Sequence, residues 1–173
     1  TVPAITTTVV GDSRTNPEIA WDFFSTTSGL NFTYENHQIA GMIGNFMVES
    51  FNFRVVPQVV MDPTVLGDDG AALGIAQWRN ARREALLNYA ATRSGLDPLA
   101  LITQLRFVDW ELANDPRARN AFFMTENVEQ ATMMFMRLYE KPEVLTGISK
   151  NINNPSSHKP FGYPHHYWDI RAG

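Results

Sequence analysis

The stretch from about Glu35 to Glu49 is the strongest constraint on what this chain can fold into. Ile39, Met42, Ile43, Phe46 and Met47 recur at the i, i+3, i+4, i+7, i+8 spacing of a single helix face. So apolar a stripe needs a partner surface, and the rest of the chain supplies further helical patterns. Asn16 as N-cap with Pro17 at the first helical position predicts a helix carrying Ile19, Ala20, Phe23 and Phe24, stopped by Ser28–Gly29. A third helix is predicted over Asn80–Arg93, stopped near Gly95. Asp97 caps the next, with Pro98 in its first turn and Leu101, Ile102, Leu105, Val108 and Leu112 on one face. The last begins near Thr125, carries Val128, Ala131, Thr132, Phe135 and Leu138, and ends at Pro142, which cannot extend the hydrogen-bond ladder.

Between the second and third helices the pattern changes. Ser50–Trp78 is punctuated by Pro, Asp and Gly with short β-branched pieces at Val55–Val56 and Val59–Val60, which predicts irregular structure with a small hairpin. Residues 1–15 read as an extended N-terminal arm, and residues 143–173 as an irregular, aromatic-rich tail. The chain therefore reads as mainly α, and its 173 residues suit a single domain over 1–173. Because it opens on Thr rather than Met, it is expected to be a processed form or part of a longer protein.

Composition excludes several function classes. Lys+Arg total 14 against 18 Asp+Glu, a net charge of −4, and the basic residues cluster only at Arg79–Arg83. A nucleic-acid partner would need a basic stripe to neutralise phosphates, so none is expected. No apolar run reaches the roughly 18 residues that cross a bilayer, so no membrane insertion is expected either. With no cysteine there is no disulfide framework, thiolate metal site or Cys nucleophile. His37, His158, His165 and His166 lack the i, i+4 spacing of a zinc site and read as surface or packing residues, so no metal is expected.

Glu49 is the sharpest chemical feature. It ends the apolar helix within Gly44-Asn45-Phe46-Met47-Val48-Glu49-Ser50-Phe51-Asn52. There it faces the negative end of the helix dipole beside Val48 and Phe51, and both effects favour a carboxyl that keeps its proton, as a general acid must. A solvated glutamate at a helix end is the plain alternative. Further on, Gly70-Ala71-Ala72-Leu73-Gly74-Ile75-Ala76-Gln77-Trp78 offers glycines for close backbone approach, an amide for hydrogen bonding and an indole face on which a sugar can stack.

A helix ending in Glu-Ser followed by a Gly-x-x-Gln turn resembles the lysozyme superfamily, in particular the goose-type lysozymes and lytic transglycosylases. Ser28-Gly29-Leu30, Ile39-Ala40-Gly41-Met42-Ile43-Gly44-Asn45, Glu49-Ser50 with Asn52, Gly74-Ile75-Ala76-Gln77-Trp78 and Arg82-Arg83-Glu84-Ala85-Leu86 together look like the phage tail lysozyme family. Gln104-Leu105-Arg106-Phe107, Glu111-Leu112 and Tyr139-Glu140-Lys141-Pro142 extend the likeness, which covers roughly Asn16 to Pro142.

The resemblance implies a mainly α, lysozyme-like fold whose small irregular or β region lines a glycan cleft. It implies cleavage of bacterial peptidoglycan without a cofactor, with Glu49 as catalytic acid and Gln77 in the substrate cleft, flanked by Trp78 and Tyr139. The aspartate that goose-type enzymes carry ahead of the Gly-x-x-Gln turn falls at Asp68, with Asp62 and Asp69 nearby, while a further acid just after the turn is replaced by Arg79. Asp68 then serves either as the second acid of a muramidase or as an ordinary residue of an Asp-Asp-Gly turn. Without a second carboxylate, a lytic transglycosylase giving 1,6-anhydro products is the alternative, and a glycan-binding module of a phage tail is a third reading. The family also implies peptidoglycan strands and other tail proteins as partners, and a place in the virion tail or outside the cell.

Some residues have plainer roles. Met133, Met134 and Met136 read as core filling, Glu140 as the ion-pair partner of Arg82 or Arg83 ahead of a second carboxylate in the cleft, and Phe161, Tyr163, Tyr167 and Trp168 as either groove or folded-back tail.

Overall fold

The computed structural model describes residues 12–26, 29–67, 69–93 and 95–140, with residue 140 described for its backbone only. It is mainly helical, with six α-helices among the described residues: α1 (Asn16–Ser25), α2 (Asn36–Glu49), α3 (Asn80–Ala91), α4 (Leu101–Asn114), α5 (Pro116–Phe123) and α6 (Val128–Met134). The last runs on into a π-helical segment, Phe135–Glu140. The arm before residue 12 and the tail, with its aromatics, His158, His165 and His166, lie outside the described residues.

Helix α2 is the centre of the packing, as its stripe requires. Ile39, Met42 and Phe46 are completely buried, each worth about 1.5–3 kcal/mol of apolar burial. Its partners are α6 and α1. The approach to α6 is close because Gly41 has no side chain: a Cβ there would stand 2.8 Å from the Thr132 backbone nitrogen. Asn45 crosses the same seam, donating from Nδ2 to Gly41 O at 2.8 Å and to Thr132 O at 3.1 Å. A buried amide thus satisfies carbonyls of both helices.

Several boundaries differ from the pattern reading, each for a local reason. Helix α1 is capped by Thr15, not Asn16: Thr15 and Glu18 form a reciprocal capping box. Asn16 is buried instead and donates to Met61 O at 3.0 Å, tying α1 to the irregular region. The helix stops at Ser25, short of Ser28–Gly29, with the Thr26 N–H bonded to Phe23 O. Asp97 closes a turn, accepting from Leu99 N and holding Ala100 N on its carbonyl, so α4 starts only at Leu101. Helix α5, which the apolar pattern does not predict, is capped by Asp115 accepting from Ala118 N. Thr125 ends that helix rather than starting the next, and α6 begins after Asn127, which accepts from Gln130 N.

The region from Ser50 to Trp78 is irregular, as expected, and holds isolated antiparallel bridges, Asn52 with Val59, Leu66 with Leu73 and Leu73 with Trp78. Met136 is buried and Met133 and Met134 half-buried, which fits core filling. His37 packs its Nε2 against Thr125 O at 2.7 Å. No described helix is long and apolar enough to cross a membrane.

Candidate active site

Glu49 is the last residue of α2 and is half-buried. Ser50 closes the helix twice, its N–H bonding Phe46 O at 3.0 Å and its hydroxyl donating to the same carbonyl at 2.6 Å. This double cap fixes the position from which the Glu49 side chain leaves the helix.

From Ser50 a ladder of hydrogen bonds leads to the Gly74–Trp78 turn. Asp62 N donates to Ser50 O at 2.9 Å, Val65 N to Asp62 O at 3.3 Å, and Gly74 N to Val65 O at 2.9 Å. The Gln77 amide completes it, donating from Nε2 to Gly74 O at 2.9 Å and to Val65 O at 3.3 Å. The end of α2 and the turn are therefore bound to one shared segment, Met61–Val65. Three residues without glycine's freedom adopt left-handed backbone in this part of the molecule: Met61, Gln77 and Asn80, with φ of 55°, 49° and 48°. Such conformations cost of order 1–3 kcal/mol each and gather at functional sites.

The three aspartates ahead of the turn differ in availability. Asp62 is completely buried and accepts from Thr64 N, Thr64 Oγ1 and Asn52 Nδ2 at 2.7–2.8 Å, so its carboxylate closes the loop. Asp69 is exposed and pairs with Arg79 at 2.7 Å. The Arg79 hydrogen bond, with a smaller contribution from Ala71 N–H, holds the Asp69 carboxyl below the usual carboxylate range. Asp68, between Gly67 and Asp69, lies outside the described residues. Its flanks are tied down: Gly67 N donates to Ala72 O, and Arg83 donates to the carbonyls of Gly70 and Ala71.

Two expected sugar contacts are corrected by burial. Trp78 is completely buried, set edge-to-face against Phe107 with centroids 5.3 Å apart, and its indole donates to Glu111 Oε1 at 2.7 Å. No face is left for a sugar. Tyr139 is likewise buried, stacked on Phe135, and its hydroxyl donates to the same Glu111 oxygen at 2.7 Å. Arg82 completes this cluster, reaching Glu111 from Nη2 at 2.8 Å and Nε at 2.9 Å. Tyr139 O also accepts from Arg82 Nη1 at 2.9 Å; the expected pairing of Arg82 or Arg83 with Glu140 involves a side chain that lies outside the described residues. In the sequence Glu111 stands out only as part of the Glu111-Leu112 motif. Its role was invisible because its partners come from three other elements.

Among the described residues no group of three His, Cys, Asp or Glu side chains lies placed to hold a metal ion.

The family model for phage tail lysozymes matches residues 15–155. The chain belongs to that family. No curated protein and no solved structure matches it. The mainly α architecture is that of a lysozyme-like fold, and membership gives the chain a lysozyme-like role in degrading peptidoglycan.

Proposed function

We propose that the chain is an N-acetylmuramidase, hydrolysing the β-1,4 bond between N-acetylmuramic acid and N-acetylglucosamine. In this reading Glu49 protonates the leaving oxygen, Asp68 holds the attacking water, Gln77 lines the glycan cleft, and no cofactor takes part. The observation that carries it is the hydrogen-bonded ladder from Ser50 through Met61–Val65 to Gln77, which ties the helix end that carries Glu49 and the strained turn that carries Gln77 to one shared segment. Glycosidic cleavage needs this kind of fixed acid, because proton donation works only within hydrogen-bond reach of the leaving oxygen. The substrate is the glycan strand of the bacterial wall, attacked from a phage tail in the virion or by a secreted lysin, with the chain forming one catalytic domain among other tail proteins.

Glu49→Gln keeps the side chain's shape and removes its transferable proton. Its turnover of purified cell walls should fall by about 10²–10⁴-fold, the usual contribution of general acid catalysis. Undiminished clearing of cell walls by a folded variant would overturn the assignment.

A further inference from the structure

Gln104 and Glu111 stand seven residues apart on α4, two helical turns and therefore one face. Both reach the Gly74–Trp78 turn, from opposite ends. Gln104 is completely buried; its Oε1 accepts from Ile75 N at 3.0 Å, and its Nε2 donates to Pro63 O at 2.8 Å and Pro98 O at 2.9 Å. One side chain thus joins the start of the turn to the Met61–Val65 segment on which the end of α2 also rests. Glu111 holds the other end through the Trp78 indole and is itself fixed by Arg82 and Tyr139. Gln77 lies between the two grips, in left-handed backbone.

We propose that Gln104 and Glu111 are positioning residues, which set the Gly74–Trp78 turn, and Gln77 with it, at the height needed to bind glycan beside Glu49. The inference rests on the glycosidase reading. Neither residue reaches substrate: Gln104 uses both amide hydrogens and its carbonyl inside the protein, and Glu111 Oε1 receives three donors while Oε2 receives the Arg82 Nε–H. Loosening either grip lets the turn shift while the acid stays on α2, so glycan binding is lost before the chemistry is.

The test is steady-state turnover of soluble peptidoglycan glycan fragments by the full chain carrying Glu111→Gln, Trp78→Phe or Gln104→Glu, at a temperature where circular dichroism shows each folded. Trp78→Phe keeps an aromatic ring in the core and removes the N–H that Glu111 holds together with part of the indole; Gln104→Glu keeps the shape and removes amide donors to Pro63 and Pro98. KM should rise about tenfold with kcat within about threefold of the parent, since a displaced contact surface weakens binding. A merely structural role would lower the melting temperature and the active fraction without moving KM. Because Glu111 and Trp78 act through one bond, the double variant Glu111→Gln/Trp78→Phe should raise KM no further than the larger single change. Unchanged KM in the folded variants, or multiplied effects in the double variant, would overturn the proposal while leaving the glycosidase reading intact. An inactive parent chain would overturn both. If one variant does not fold, the remaining two carry the measurement.

Discussion

The Gln104 amide fills the space that a side chain on Gly74 would need: a Cβ built there lies 2.5 Å from Gln104 Oε1 and 2.8 Å from its Cδ. Gly74 also has φ of +80°, where an L-residue is disfavoured by roughly 1–2 kcal/mol. The two requirements coincide, since Gly74 makes the turn and leaves room for the side chain that holds the turn. Gly74→Ala should therefore destabilise the fold by at least about 2 kcal/mol, combining backbone strain with loss of a buried hydrogen bond. Urea unfolding measures it, and a midpoint equal to the parent's would contradict the packing described here.

The α2–α6 seam makes a similar demand by another route. Gly41 is helical with ordinary backbone angles, so only space forbids a side chain there. A Cβ would meet the Thr132 backbone nitrogen at 2.8 Å and the Ala131 carbonyl carbon at 3.0 Å, and backbone cannot swing aside as a side-chain tip can. Gly41→Ala should cost about 1–3 kcal/mol by overpacking, although alanine is the better helix former. A thermal melt showing stabilisation would mean the helices lie further apart than described.

These seams also mark how far the sequence could be read. The limits of α2 were legible because its stripe is long and regular, and the irregular character of Ser50–Trp78 because Pro, Asp and Gly dominate it. Helix α5 was not, since Pro116–Phe123 is short, interleaves Arg and Asn with its apolar residues and buries only Ala118 and Phe122. The Thr15 cap was legible in principle, as Thr-x-x-Glu is a capping-box signature, but Asn16-Pro17 offered a competing start. Trp78 could not be placed from sequence at all. Whether an aromatic beside a glycine-rich turn faces ligand or core depends on Glu111, Phe107 and Tyr139, which only the tertiary fold brings to it.

A second buried carboxylate gives a prediction in pH. Asp109 accepts from Asn31 N and Nδ2 at 2.9 and 2.6 Å and from the Tyr34 hydroxyl at 2.7 Å. Burial, with the Asp109 charge behind it, pushes the Tyr34 hydroxyl far above its ordinary range. A pKa raised by folding stabilises the protein below the unfolded tyrosine value of about 10 and is lost as pH rises beyond it. Stability should therefore decline above about pH 10, and Tyr34→Phe should flatten that decline. At neutral pH the same substitution removes one donor from Asp109 and should cost about 1–3 kcal/mol. Unfolding free energies of parent and variant at pH 7 and pH 10.5 check both; an equal slope in the two proteins would remove Tyr34 from the account.

The last prediction separates hydrolysis from its alternative. Among the three aspartates ahead of the turn, Asp62 is committed to Thr64 and Asn52, and Asp69 to Arg79. An inverting muramidase needs a second carboxylate about 6.5–9.5 Å from the acid to hold water, and Asp68 is the aspartate these commitments leave for that task. By holding Asp69, Arg79 helps fix the loop that follows Asp68, together with Arg83 at the Gly70 and Ala71 carbonyls. Asp68→Asn should then slow turnover at least about tenfold, roughly 1.4 kcal/mol of barrier, and mass spectrometry of a parent digest should find reducing N-acetylmuramic ends. Digests ending in 1,6-anhydro sugar, with Asp68→Asn at full rate, would instead mean that the substrate's own hydroxyl attacks, leaving Glu49 as the acid of a lytic transglycosylase.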